Sequence, residues 1–111
     1  IAPVEELRWL EYGQRLAARR RVVAPTAPGA SCGETLYARA ARGGAQACGM
    51  RTGALAPGHR ADLVVLDDRA APLAGAPPGE ILDRYVFATD RAPPRHVMVR
   101  GRWRVRDGIV A

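Results

Sequence analysis

The hydrophobic pattern of this chain changes period part-way along, and that change constrains its fold more than any other feature. Up to about residue 49 the apolar residues recur at helical spacing. Beyond Pro57-Gly58, a turn signal, they come in short runs of strand type. Ala61-Asp62-Leu63-Val64-Val65-Leu66-Asp67 reads as a strand whose unbroken apolar centre implies burial on both faces. Residues 68–79, with Pro72, Pro77 and Pro78, read as loop, and Tyr85-Val86-Phe87 as a short strand. Val97-Met98-Val99 and Trp103-Arg104-Val105 flank Arg100-Gly101, a hairpin signal. Alternation turns Trp103 and Val105 inward and Arg102, Arg104 and Arg106 toward water. Asp107-Gly108 offers a second turn before Ile109-Val110.

In the helical half, residues 3–22 form the first expected helix. Pro3 suits its first position, Glu5 and Glu6 its positive end, and Arg19, Arg20 and Arg21 its negative end. Two apolar stripes run along it: Val4, Leu7 and Leu10, then Trp9, Tyr12 and Leu16. They lie on different sides, so the helix wants two packing partners, with Gly13 permitting close approach beside the second. A single wide core face is the plainer alternative. Residues 24–30 read as loop. Ser31-Cys32-Gly33-Glu34 fits a capping box that opens a second helix through Leu36, Tyr37, Ala40 and Ala41. That helix is expected to stop near Gly43-Gly44, with a further short turn through residues 45–48 ended by Gly49.

Charge narrows the function classes. The net charge of +6 comes from 17 basic residues, every one of them Arg, beside abundant Ala, Gly and Pro. That usage fits a GC-rich genome, and the acids interleave with the arginines over the second half, so a dedicated nucleic-acid surface is not expected. No apolar run approaches the roughly 20 residues needed to span a bilayer, and no secretory signal is visible. Cys32 and Cys48 therefore read as free thiols of a reducing cytoplasm rather than a disulfide. The chain opens on Ile1 and runs straight into a helix start, a pattern that leads one to expect a preceding part, although a trimmed chain would look the same.

Catalytic chemistry is not visible. Cys32, Cys48, His59 and His96 lack the close, paired spacing of zinc ligands. His59 falls on a turn and is expected at the surface, while His96 should share a strand face with Met98. Asp62 and Asp67 read as solvated strand ends. No HxH, HExxH, GxSxG or phosphate-loop pattern occurs. No catalytic, cofactor-binding or metal-ligating residue is assigned to this chain.

Gly53-Ala54-Leu55-Ala56-Pro57-Gly58-His59-Arg60-Ala61-Asp62-Leu63-Val64-Val65-Leu66-Asp67 resembles the closing segment of amidohydrolase-superfamily enzymes. His96-Val97-Met98-Val99-Arg100-Gly101 and Val105-Arg106-Asp107-Gly108 resemble the superfamily's terminal strands. A narrower likeness rests on Val4-Glu5-Glu6-Leu7-Arg8-Trp9-Leu10-Glu11-Tyr12-Gly13-Gln14-Arg15-Leu16, on Gly43-Gly44-Ala45-Gln46-Ala47 and on Leu82-Asp83-Arg84-Tyr85-Val86-Phe87-Ala88. Together these are similar to the N-formimino-L-glutamate deiminases of histidine degradation.

The resemblance implies an α+β fragment: the last helices of a metal-dependent (β/α)₈ barrel, then part of a small composite β-sandwich. Residues 1–49 would be the terminal barrel helices and residues 50–111 the C-terminal part of the sandwich. It also implies zinc or a similar divalent metal in the parent enzyme, none bound by this chain, and deimination of N-formimino-L-glutamate to N-formyl-L-glutamate and ammonia. The family's metal ligands, an early HxH, a mid-barrel His and a late Asp, map onto no residue here. The expected partners are the rest of the parent, with its barrel and N-terminal strands, and the parent's small-molecule substrate. Nucleic acid and membrane are not expected, and a homodimer is left open. Two alternatives stand beside this reading: another superfamily deaminase of the guanine type, and a free-standing Arg-rich binding module.

Overall fold

The computed structural model describes residues 2–90 and 93–111; Ile1, on which the chain opens, lies outside them. Two long helices come first, α1 (Pro3–Ala18) and α2 (Cys32–Ala47). After them come β1 (Leu63–Val65), a 3₁₀ turn at Pro78–Glu80, α3 (Ile81–Phe87), β2 (His96–Val99), β3 (Arg102–Arg106) and β4 (Ile109–Val110). The four strands form one antiparallel sheet in the order β1-β2-β3-β4.

Helix α1 starts as its sequence dictates, with Pro3 in the first turn and Glu5 and Glu6 near the positive end. It stops at Ala18, earlier than the expected residue 22. Arg19 swings to a left-handed φ of 52°, and the N–H groups of Arg19 and Arg20 both donate to the Arg15 carbonyl. The chain turns back there because Val23 and Ala24 donate to the Glu11 carboxylate. The arginine triplet therefore follows the helix instead of completing it.

Helix α2 opens as expected, the Ser31 hydroxyl accepting from the Glu34 N–H at 3.0 Å. It does not stop at Gly43-Gly44. Termination waits for Gly49, at φ 62°, where the N–H groups of Gly49 and Met50 donate to the Gln46 and Ala45 carbonyls. Two adjacent glycines weaken a helix interior but supply none of the bonds that end one.

The expected strand at Tyr85-Val86-Phe87 is instead the end of helix α3. Tertiary contacts override its β-forming residues. Tyr85 and Val86 are buried against the other helices. Gly33 explains the close fit: a Cβ there would sit 2.3 Å from the Leu82 carbonyl oxygen. The Gly33 N–H also donates to the Asp83 carboxylate at 2.6 Å. At the other end of α3, the Arg8 guanidinium donates to the carbonyls of Val86, at 2.8 Å, and Thr89.

The sheet keeps its expected hairpins. Arg100-Gly101 turns β2 into β3 with positive φ at both residues, and Asp107-Gly108 turns β3 into β4 the same way. Trp103 and Val105 are half-buried while Arg102, Arg104 and Arg106 are exposed. Strand β1 is shorter than residues 61–67, and its burial differs from expectation: Val64 is 44% exposed. The core sits instead among the helices, where Ala24, Cys32, Leu36 and Val86 cluster with Val4, Leu7 and Phe87 packed against them.

Candidate functional site

The most ordered polar site is a carboxylate on α1 that the sequence reading passed over. Glu11 follows Val4 and Leu7 at helical spacing, so it points into the core and is fully buried. Its two oxygens accept from the Arg15 guanidinium at 2.8 Å, the Val23 N–H at 2.8 Å and the Ala24 N–H at 3.0 Å. Burial pushes the carboxyl up, but the Arg15 hydrogen bond and the two amide donors outweigh it and hold it below its usual range. Arg15 in turn lies over the Tyr12 and Phe87 rings and donates toward the Cys32 sulfur at 3.8 Å. Burial is the main influence on the Cys32 thiol and raises its pKa. The signal for Glu11 was present as an acid in the Val4–Leu7 stripe with Arg15 one turn on; Leu10, assigned to that stripe, is 52% exposed.

A second polar site is Asp62, expected to be a solvated strand end. Its carboxylate gathers the Arg100 N–H at 2.8 Å, the Thr52 hydroxyl at 3.0 Å and the Arg60 guanidinium. The Arg100 hydrogen bond leads in holding it below the usual carboxylate range. Asp62 thus ties the start of β1 to the β2–β3 turn, a role that only the folded sheet reveals. Asp67 remains a strand-end residue, accepting from the Arg69 N–H at 3.1 Å.

The remaining candidates are scattered. His59 is exposed on a bend. His96 lies on β2, where its Nδ1 accepts from the Asp107 N–H at 3.1 Å and its ring meets Trp103 edge-on. Cys32 is buried at the start of α2 and Cys48 exposed beyond its end, both as free thiols. Among the described residues, no group of three or more His, Cys, Asp or Glu could hold a metal ion, and no helix is long and apolar enough to cross a membrane. Between α2 and the sheet lies an open apolar cleft of about 700 Å³ lined by Tyr37, Ala41, Leu55, Val64, Val97 and Val99 among others. What the described residues offer is two structural brackets and an open apolar cleft.

The sequence model of the amidohydrolase family matches residues 6–104, from inside α1 to within β3. The chain belongs to the amidohydrolase family. It is also 51% identical over 108 residues to a formimidoylglutamate deiminase of Pseudomonas aeruginosa. That alignment takes in 97% of this chain but 24% of the relative, so the chain spans about a quarter of the length of the curated relative it matches. Both brackets, Glu11 with Arg15 and Asp62 with Arg100, fall inside the amidohydrolase match.

Proposed function

We propose that this chain is part of a metal-dependent deiminase that hydrolyses N-formimino-L-glutamate to N-formyl-L-glutamate and ammonia. The identity to formimidoylglutamate deiminase, 51% across nearly the whole chain, carries this reading. Within such an enzyme, residues 1–49 would be terminal helices of the (β/α)₈ barrel and residues 50–111 the C-terminal part of a small β-sandwich. Two features support that placement. Strands β1 and β2 carry apolar residues on both faces, yet Val64 stays exposed and the cleft beside it open. On α1, Trp9 and Leu16 are 65% and 82% exposed. Both surfaces suit cover by other parts of a parent that would work in the cytoplasm.

Zinc or a similar divalent ion belongs to the proposed parent, and the residues described here do not fit it. Their His and Cys side chains stand on separate elements, and no three potential ligands converge. No step of the reaction is therefore assigned to them. In the parent, the oxygen of water adds to the formimino carbon, and the bond from that carbon to the terminal nitrogen breaks to release ammonia. This chain's share is to hold the frame through Glu11, Arg8 and Asp62.

The test is ammonia release by the full-length protein carrying this segment, with N-formimino-L-glutamate, guanine and cytosine side by side. Release from N-formimino-L-glutamate alone, abolished by a chelator, is expected. Deamination of guanine with N-formimino-L-glutamate untouched would overturn the substrate, and activity in the isolated 111 residues would overturn the structural role.

A further inference from the structure

Residues 19–31 join α1 to α2 without helix or strand, and their attachment is unusually narrow. Among the described residues, the only hydrogen bonds tying residues 21–30 to the helices are those of Val23 and Ala24 with Glu11. Ala24 closes the core over Cys32, the two being 5% and 7% exposed. Beside them an open pocket of about 510 Å³ is walled by Arg15, Val22, Cys32 and Phe87. The segment leaves α1 through Arg19, at φ 52°, and approaches α2 through Gly29, at φ 74°.

We propose that residues 21–28 form a strap, pivoting at Arg19 and Gly29, that the Glu11 carboxylate clips over the Cys32 thiol, and that it opens locally while the three helices stay folded. The inference stands apart from the proposed substrate. A clip of two amide bonds to one side chain gives way more readily than the packed core of α2, because local opening follows the least-supported segment. Opening would widen the pocket on which Cys32, now 7% exposed, already borders and bring its sulfur within reach of thiol reagents, with Glu11 as the gate.

The chain carries its own reference thiol, since Cys48 is exposed. In the intact protein, alkylation is followed peptide by peptide, with each rate normalised to that in denaturant, alongside amide exchange in α2. Cys48 should label as a free thiol. Cys32 should label more slowly, yet through openings far more frequent than those that expose the Leu36 amide. Labelling of Cys32 no faster than exchange at Leu36 would mean that the strap opens only with global unfolding, and would overturn the proposal. Glu11→Gln should speed Cys32 labelling by about tenfold or more, the loss expected when a charge-assisted hydrogen-bond acceptor is neutralised. Cys48 labelling should not change, and Leu36 exchange should quicken by no more than the same factor, because loss of the clip destabilises the closed chain against both kinds of opening. Unaltered Cys32 labelling, or labelling that falls to the frequency of Leu36 exchange, would show that Glu11 is no gate. Should the variant fail to fold, the wild-type comparison still decides.

Discussion

The helices and the sheet differ in where their apolar surface goes. Tyr85, Val86, Leu36 and Cys32 are buried on helices, and Glu11 is buried with them. No strand residue reaches that class: β1 and β2 are at best half-buried, β3 alternates between half-buried and exposed, and β4 is exposed throughout. Burial at roughly 25 cal/mol per Å² of apolar area makes the helical cluster the main source of stability within these residues. The sheet has its hydrogen bonds and turns in place but lacks a covering layer. A chain can therefore specify local structure fully in a region that it leaves largely unburied.

The sharpest way to break this contrast is a substitution at the tightest helical contact. Gly33→Val drives side-chain atoms into the Leu82 carbonyl, against backbone that cannot yield cheaply. It should cost about 3 kcal/mol or more, read as a lowered denaturant midpoint. A cost within about 0.5 kcal/mol would show that α2 and α3 do not depend on their close approach.

Glu11→Gln comes next, at roughly 2 kcal/mol, because the half-buried Arg15 and two amides lose an ionised acceptor. The pH dependence has a defined sign. Glu11 is held low in the folded chain, so the unfolded chain binds that proton more readily. Its stabilisation is complete above the unfolded carboxylate value and is lost as pH falls through the lower folded one. Denaturation midpoints measured from neutral pH into acid should therefore fall more steeply for the wild type than for Glu11→Gln.

Smaller effects sharpen the contrast from the open surfaces. A Cβ at Gly13 would meet nothing within 4 Å, so in the isolated chain Gly13→Ala should stabilise α1 by about 0.5–1 kcal/mol. In the full-length protein the same change should destabilise, if another element packs against the Trp9–Leu16 side. Val64→Ser should shift the isolated chain by no more than about 0.5 kcal/mol, the range of surface substitutions. A larger loss in the isolated chain would place Val64 in a core that this account says is absent.

Much of this was legible in the sequence, for reasons that differ by element. The turns at Arg100-Gly101 and Asp107-Gly108 were readable because positive φ restricts residue type, and the Ser31 cap because its bond is local. Helix α3 was not readable. Tyr85, Val86 and Phe87 favour strands in isolation, and the contacts that make them helical come from Gly33 and Arg8, far away in sequence. The end of α2 was misplaced because Gly43-Gly44 resembles a stop, whereas the bonds that close the helix belong to Gly49 and Met50. Among the polar residues, Glu11 escaped notice because a charged residue within an inward stripe reads as solvated until its donors are known. Asp62 escaped because one of its donors, the Arg100 N–H, arrives only when the hairpin folds back.

Hydrogen exchange, followed segment by segment in the isolated 111 residues and in the full-length protein, tests the central contrast most directly. The account predicts that amides of α2 and α3 are protected in both, whereas those of β1 and β2 gain strong protection only in the full-length protein. Equal protection of β1 and β2 in the isolated chain would contradict it, showing that the sheet needs no cover from elsewhere.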